Sequence, residues 1–165
     1  MTLFYIGIGS NDEAEKNCRQ MIQALRQQFG RVWVSSLIQT SAEGGAAAKE
    51  KAADYYNAVA CFESDASPAS INGWCKRIED QLGRVRGSLK CRADLDILQV
   101  VEDVRAVRIS AIEEVYYRPL VEQLWNFQRG DPVSVFTDAV NLALEAGVKL
   151  GHQPRLLPEL EFATA

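Results

Sequence analysis

The run Arg84-Val-Arg-Gly-Ser-Leu-Lys-Cys-Arg-Ala-Asp-Leu-Asp-Ile-Leu98 sets four cations, Arg84, Arg86, Lys90 and Arg92, ahead of two carboxylates, Asp94 and Asp96. The carboxylates alternate with Leu95 and Ile97 and lead into Leu98 and Val100. Apolar residues at this density read as a strand, Asp94–Val101, and residues two apart on a strand point to the same face. One strand face then carries a carboxylate pair, with a cationic loop beside it. Oxygen donors of this kind hold Mg²⁺, and guanidinium groups hold phosphate oxygens by parallel donors. The stretch therefore points to the chemistry of a nucleotide phosphate. A solvated strand face is the plainer alternative for an Asp-x-Asp taken alone.

Working outward, Ser67-Pro68 is an N-cap followed by proline at the first helical position, and Ile71, Trp74, Ile78 and Leu82 recur on one helical face up to Gly83. Tyr55–Phe62 precedes that helix as a strand. Before it lie a strand at Thr2–Gly9, a helix with Cys18, Met21, Ile22, Leu25 and Phe29 on one face that stops at Gly30, and a strand at Val32–Thr40. Ser10 and Asn11 read as turn and helix-cap residues, not as a phosphate loop, because no Gly-rich spacing leads to Lys-Ser/Thr. Ser41–Ala53 is rich in Ala, Gly, Lys and Glu and reads as a long loop. Two βαβ units in tandem predict an α+β fold, a ferredoxin-like βαββαβ sandwich with the sheet on one side and helices on the other. Beyond it, Val104–Ser110 reads as an added hairpin strand. Helices are expected from Pro119 and, through Val133, Phe136, Val140 and Leu144, after Asp131-Pro132. Residues 151–165 read as an extended tail. With neither a repeat nor a linker, residues 1–165 form a single domain.

The 165 residues suffice for one core, and 47% apolar with 24% charged residues is ordinary for a globular chain. A net charge of −4 supplies no field to draw in nucleic acid or an anionic membrane, so the local cations suit a small anionic ligand. Cys18, Cys61, Cys75 and Cys91 form no Cys-x-x-Cys pair and His152 is the sole histidine, which argues against zinc and for buried free thiols. The N-terminus lacks a basic region and cleavage site, and no apolar run reaches spanning length; a cytoplasmic monomer is expected.

Tyr5-Ile-Gly-Ile-Gly-Ser-Asn11, Asp54-Tyr-Tyr-Asn-Ala-Val59, and Ile78-Glu-Asp-Gln-Leu-Gly-Arg-Val-Arg86 leading to Asp94-Leu-Asp-Ile-Leu98 resemble, collinearly, the hydroxymethyldihydropterin pyrophosphokinase family. The resemblance implies a ferredoxin-like fold and transfer of pyrophosphate from ATP to the hydroxymethyl group of a reduced pterin, releasing AMP, in folate synthesis. It further implies that Asp94 and Asp96 bind two Mg²⁺, that Arg84 and Arg92 are the catalytic phosphate-contacting arginines, and that Tyr55 and Asn57 form the pterin pocket. Lys76, Glu79, Arg86, Ile97, Arg108 and Ser110 are expected on the nucleotide. Small-molecule substrates, not macromolecules, are the implied partners.

Three stretches depart from the family pattern. Thr40-Ser41-Ala42 replaces Thr-Pro-Pro. Lys90-Cys91-Arg92 replaces Gly-Pro-Arg and brings Arg92 one residue nearer Asp94, a slip that reverses a side chain's face and leaves Lys90 or Arg86 to substitute. Ile112–Pro119 contains no histidine where the family has Pro-His, and Arg118 or Tyr117 is left to fill that gap. The competing readings are a divergent, non-catalytic paralogue that keeps nucleotide or pterin binding, and a small binding module on a ferredoxin-like sheet.

Overall fold

The first strand is apolar toward both faces, and accordingly it lies inside the sheet with a neighbour on either side. β1 (Thr2–Ser10) pairs antiparallel with β4 (Tyr55–Ser64) on one side and with β5 (Asp94–Val101) on the other. The computed structural model describes residues 1–40, 54–145 and 147–160. The other elements are α1 (Ala14–Phe29), β2 (Val32–Val34), β3 (Ile38–Thr40), α2 (Pro68–Gln81), α3 (Arg118–Arg129), β6 (Leu142–Glu145), β7 (Val148–Leu150) and β8 (Arg155–Leu157). The sheet runs β5-β1-β4-β2-β8, with β3 also paired to β4. Each βαβ unit is thus split by a strand of the other, which is the ferredoxin-like arrangement in an α+β fold. The loop expected at Ser41–Ala53 lies outside the described residues.

The two faces are built differently. Phe4, Ile6 and Ile8 of β1 pack with Cys18, Met21, Ile22 and Leu25 of α1 and with Ile71, Trp74 and Cys75 of α2. Leu3 and Tyr5, on the opposite face, pack with Leu120, Val121 and Leu124 of α3. The helices therefore do not all lie on one side: α3 makes a third layer. The Tyr5 hydroxyl donates to Gln128 Oε1 at 2.6 Å and ties that layer to the sheet. All four cysteines are buried free thiols, and burial pushes those of Cys18, Cys61 and Cys75 up to about 12.

Val32–Thr40 is not one strand. It breaks at Ser35–Leu37, where side chains replace ladder bonds. Ser35 Oγ accepts from Val59 N–H at 2.8 Å, and Ser36 N–H donates to Gln123 Oε1 at 2.8 Å. Gln123 Nε2 donates to Ser36 Oγ at 2.7 Å and to Ser134 O at 2.9 Å. Ser35, Ser36 and Gln123 are fully buried. Gln123→Ala orphans the Ser36 N–H, and about 2–3 kcal/mol of stability is expected to vanish, readable as a lower urea midpoint.

Two other expectations fail for local reasons. Val104–Ser110 forms no hairpin strand; it runs as two 3₁₀ turns, Val104–Ala106 and Ile109–Ala111. The Gln99 side-chain amide meets the Arg108 backbone at both ends, donating to its C=O and accepting from its N–H at 2.9 Å each, and so stands in for a strand partner. No helix follows Asp131-Pro132. Gly130 ends α3 at φ 76°, and the next segment runs along β3, with Gln39 N–H donating to Asp138 O and Val140 N–H to Leu37 O. The chain then enters the β6–β7 hairpin and β8, so the tail from Gly151 contributes a strand to the sheet. Of the expected C-terminal helices, the one at Pro119 forms. Among the described residues, no helix is long and apolar enough to cross a membrane.

Candidate active site

Strand register assembles one row of side chains across the sheet. Asp94 lies opposite Gly9 and Asp96 opposite Gly7; Gly9 in turn lies opposite Asn57. Directly opposed residues share a face, so Asp94, Asp96, Asn57 and Tyr55 sit on the α3 side, with Thr40 of β3 paired to Tyr55. The glycines keep that face bare. A Cβ on Gly7 would lie 2.7 Å from the Tyr117 ring, and one on Gly9 would lie 3.0 Å from Asn57 Oδ1. Asn57, 3% exposed, donates from Nδ2 to Thr40 Oγ1 at 2.6 Å and accepts at Oδ1 from the Tyr117 hydroxyl at 3.3 Å.

Glu79 of α2 organises the cations. Its fully buried carboxylate accepts from Arg84 at 2.8 Å, from Arg86 at 2.6 Å and from the Leu95 backbone N–H at 2.8 Å, with Lys76 Nζ at 3.5 Å. Burial alone would raise its pKa; the Leu95 N–H, Arg86, Arg84 and Lys76 outweigh it and hold the carboxyl below its usual range. Arg84 also reaches Asp94 Oδ1 at 3.1 Å and the Ala93 carbonyl at 3.3 Å.

Carboxylate oxygens of Glu79, Asp94 and Asp96 lie within 4.8 Å of one another. Those of Glu79 are spent on its cations, which leaves Asp94 and Asp96 as the pair that could hold a cation. Burial first, and then the Asp96 carboxylate, push Asp94 up to about 6 despite Arg84. A carboxylate pair that repels itself in this way is one a divalent cation would relieve, and its all-oxygen donor set suits Mg²⁺. The residues present thus fit the ion. Between its ordinary value near 3.8 and about 6, the folded protein holds the extra Asp94 proton, so the pair's contribution to stability falls as pH rises through that window. In metal-free buffer, Asp96→Asn is expected to gain more in Tm over the parent at pH 7 than at pH 4.5, as scanning calorimetry would show.

The remaining expected residues divide. Arg84, Arg86, Lys76 and Glu79 come together with the acidic pair. Arg92 instead bonds Asp12 at 3.2 Å and shares a cleft of about 550 Å³ with Lys90, Ser88 and Glu13. Ile97 packs into the core on the α1–α2 side, the face opposite the carboxylates. Arg108 and Ser110 lie in the 3₁₀ segment beside β5, where Arg118 donates to the Ser110 carbonyl. Ser10 and Asn11 do not cap α1, whose N-cap is Glu13 with φ 46°. They clamp the cationic loop: Asn11 Nδ2 donates to Leu89 O at 2.9 Å, Asn11 Oδ1 accepts from Cys91 N–H at 2.5 Å, and Ser10 Oγ donates to Cys91 O at 3.3 Å. Tyr116 also borders the site. Burial, and then the charges of Asp94, Glu114 and Asp96, raise its phenol to about 12.

The chain is thus an α+β protein whose ferredoxin-like sheet carries a carboxylate pair on one face, flanked by arginines held on a buried glutamate. The model of the 7,8-dihydro-6-hydroxymethylpterin-pyrophosphokinase (HPPK) family matches residues 5–150, most of the chain. The chain belongs to that family, which is one of diphosphokinase enzymes. No curated protein matches the chain.

Proposed function

We propose that this protein transfers pyrophosphate from ATP to the hydroxymethyl group of 6-hydroxymethyl-7,8-dihydropterin, releasing AMP, as the family's description implies. The observation that carries the reading is the cross-strand row Asp94–Gly9–Asn57, with Asp96 next along the same strand face and Arg84 bonded to Asp94. It supports charge neutralisation of phosphates beside recognition of a polar ring.

In the transfer, the acceptor hydroxyl oxygen forms a bond to the β-phosphorus of ATP, the α,β-bridging P–O bond breaks, AMP leaves with the electron pair, and the hydroxyl proton passes to solvent. Asp94 and Asp96 would hold Mg²⁺, which supplies charge neutralisation of the phosphates when bound. Arg84 and Arg86, fixed on Glu79, present guanidinium donors to phosphate oxygens, and the exposed Lys90 adds a further charge. Asn57 reads the polar edge of the pterin and Tyr55 borders its ring. Catalysis on this scheme is positioning and electrostatics, with no residue acting as a strong base.

A second reading, a nucleotide-binding relative without transfer, draws on the Asn57 amide, both ends of which are taken by Tyr117 and Thr40. AMP release from Mg-ATP that depends on the pterin supports transfer. Calorimetric binding of nucleotide with no AMP formed supports the second reading.

A further inference from the structure

We infer that Tyr117 is a specificity gate: a resident ring seated in the acceptor's place, which a substrate must displace to reach Asn57. The inference rests on the pyrophosphotransfer reading above. Tyr117 is 1% exposed, its ring edge presses on the bare backbone of Gly7, and its hydroxyl stands over Gly9 and bonds Asn57 Oδ1. The phenol is held far above its usual range first by burial and then by the charges of Asp94, Tyr116 and Asp96, so its oxygen lies within electrostatic reach of the carboxylate pair. A ring on a glycine floor, a polar edge at Asn57 and an oxygen near the acid pair are the features that a planar heterocyclic alcohol would present there.

The carrier of the ring is suited to movement. Tyr117 ends a single 3₁₀ turn, Val115–Tyr117, whose closing bond is local, Tyr117 N–H to Glu114 O. Val115 faces solvent, and Tyr116 is half exposed with its ring packed on that of Tyr117 at 4.6 Å. Arg118 holds the preceding segment through the Ile112 and Ser110 carbonyls, so the movement required is confined to the turn itself. Withdrawing the ring breaks one side-chain hydrogen bond, its packing on Gly7 and Tyr116, and its place in the α3-side core, all of which the bound acceptor must offset. An acceptor with its own ring and its own donor for Asn57 replaces the hydrogen bond and the packing on Gly7. Water and simple alcohols replace neither, and the triphosphate is thereby guarded from idle hydrolysis.

The test uses the full-length protein with 3-fluorotyrosine at position 117, Mg²⁺ and a non-hydrolysable ATP analogue, together with Tyr117→Phe. Adding 6-hydroxymethyl-7,8-dihydropterin is expected to move the fluorine resonance to a solvent-exposed position, an effect the analogue alone does not produce. Tyr117→Phe, which frees Asn57 Oδ1, is expected to bind the pterin about three- to tenfold more tightly. Pterin binding with an unmoved resonance and an unchanged affinity in Tyr117→Phe overturns the gate and leaves the transfer reading standing. If the analogue binds but the pterin binds neither protein, the acceptor assignment fails and the gate with it.

Discussion

Asp96→Asn is expected to reduce pterin-dependent AMP release by at least about 10³-fold, because a lost ligand for the cation forfeits several kcal/mol of charge stabilisation in the transition state. The same change is expected to leave the fold intact and, without metal, to make it more stable. Asp96 is among the charges that raise Asp94 to about 6, and a neutral amide relieves that repulsion. Activity and stability therefore move in opposite directions. This separates a ligand from a residue that merely supports the fold, whose loss would lower both. Steady-state AMP production and scanning calorimetry on the same preparation check the pair of outcomes. A variant that kept more than a tenth of the parent rate would remove the acidic pair from the mechanism.

Glu79 is expected to behave in the opposite way, losing stability and activity together. Its carboxylate is fully buried and takes Arg84, Arg86 and the Leu95 N–H. Glu79→Gln leaves two guanidinium groups without their anchor. Breaking a buried ion pair ordinarily costs about 3–5 kcal/mol; here the arginines reach solvent, which lowers the expected loss to about 2–3 kcal/mol. The rate is expected to fall about 10–100-fold as the guanidinium groups lose their aim. Because the folded carboxyl lies below its unfolded value, its stabilisation is present above the ordinary glutamate range and is lost as pH falls through the folded value. Denaturant melts at pH 3 and 7 should therefore show a shallower acid-side loss in Glu79→Gln than in the parent. A slope equal to the parent's would mean that Glu79 is not the hub it is taken for.

The sequence exposes those parts of the site that obey a short period. Asp94 and Asp96 are two apart on a strand, and Lys76 and Glu79 three apart on a helix, so each pair's shared face follows from backbone geometry alone. The clamp made by Ser10 and Asn11 is invisible by the same logic. These residues look like helix caps because local chemistry favours that role, and their partners at Leu89 and Cys91 are brought near only by β1 pairing with β5. Val104–Ser110 alternates like a strand, yet the Gln99 amide satisfies the Arg108 backbone and the 3₁₀ turns win. Val133, Phe136, Val140 and Leu144 are spaced for a helix, but backbone bonds to Leu37 and Gln39 hold that stretch beside β3. In each case a distant partner outcompetes a local preference. Tyr117 belongs to the same class: the glycines that admit its ring lie more than a hundred residues earlier in the chain.

β8 has a further consequence, which concerns encounters between copies of the molecule. Lying against β2, this three-residue strand ends the sheet in a segment too short to template another chain, and Pro154 and Pro158 frame it. At the opposite rim, the Glu79 carboxylate takes the Leu95 N–H of β5, and the Gln99 side chain ties the Arg108 backbone alongside that strand. A short, proline-framed strand on one flank and a buried carboxylate with a tethered segment on the other both discourage edge-to-edge pairing.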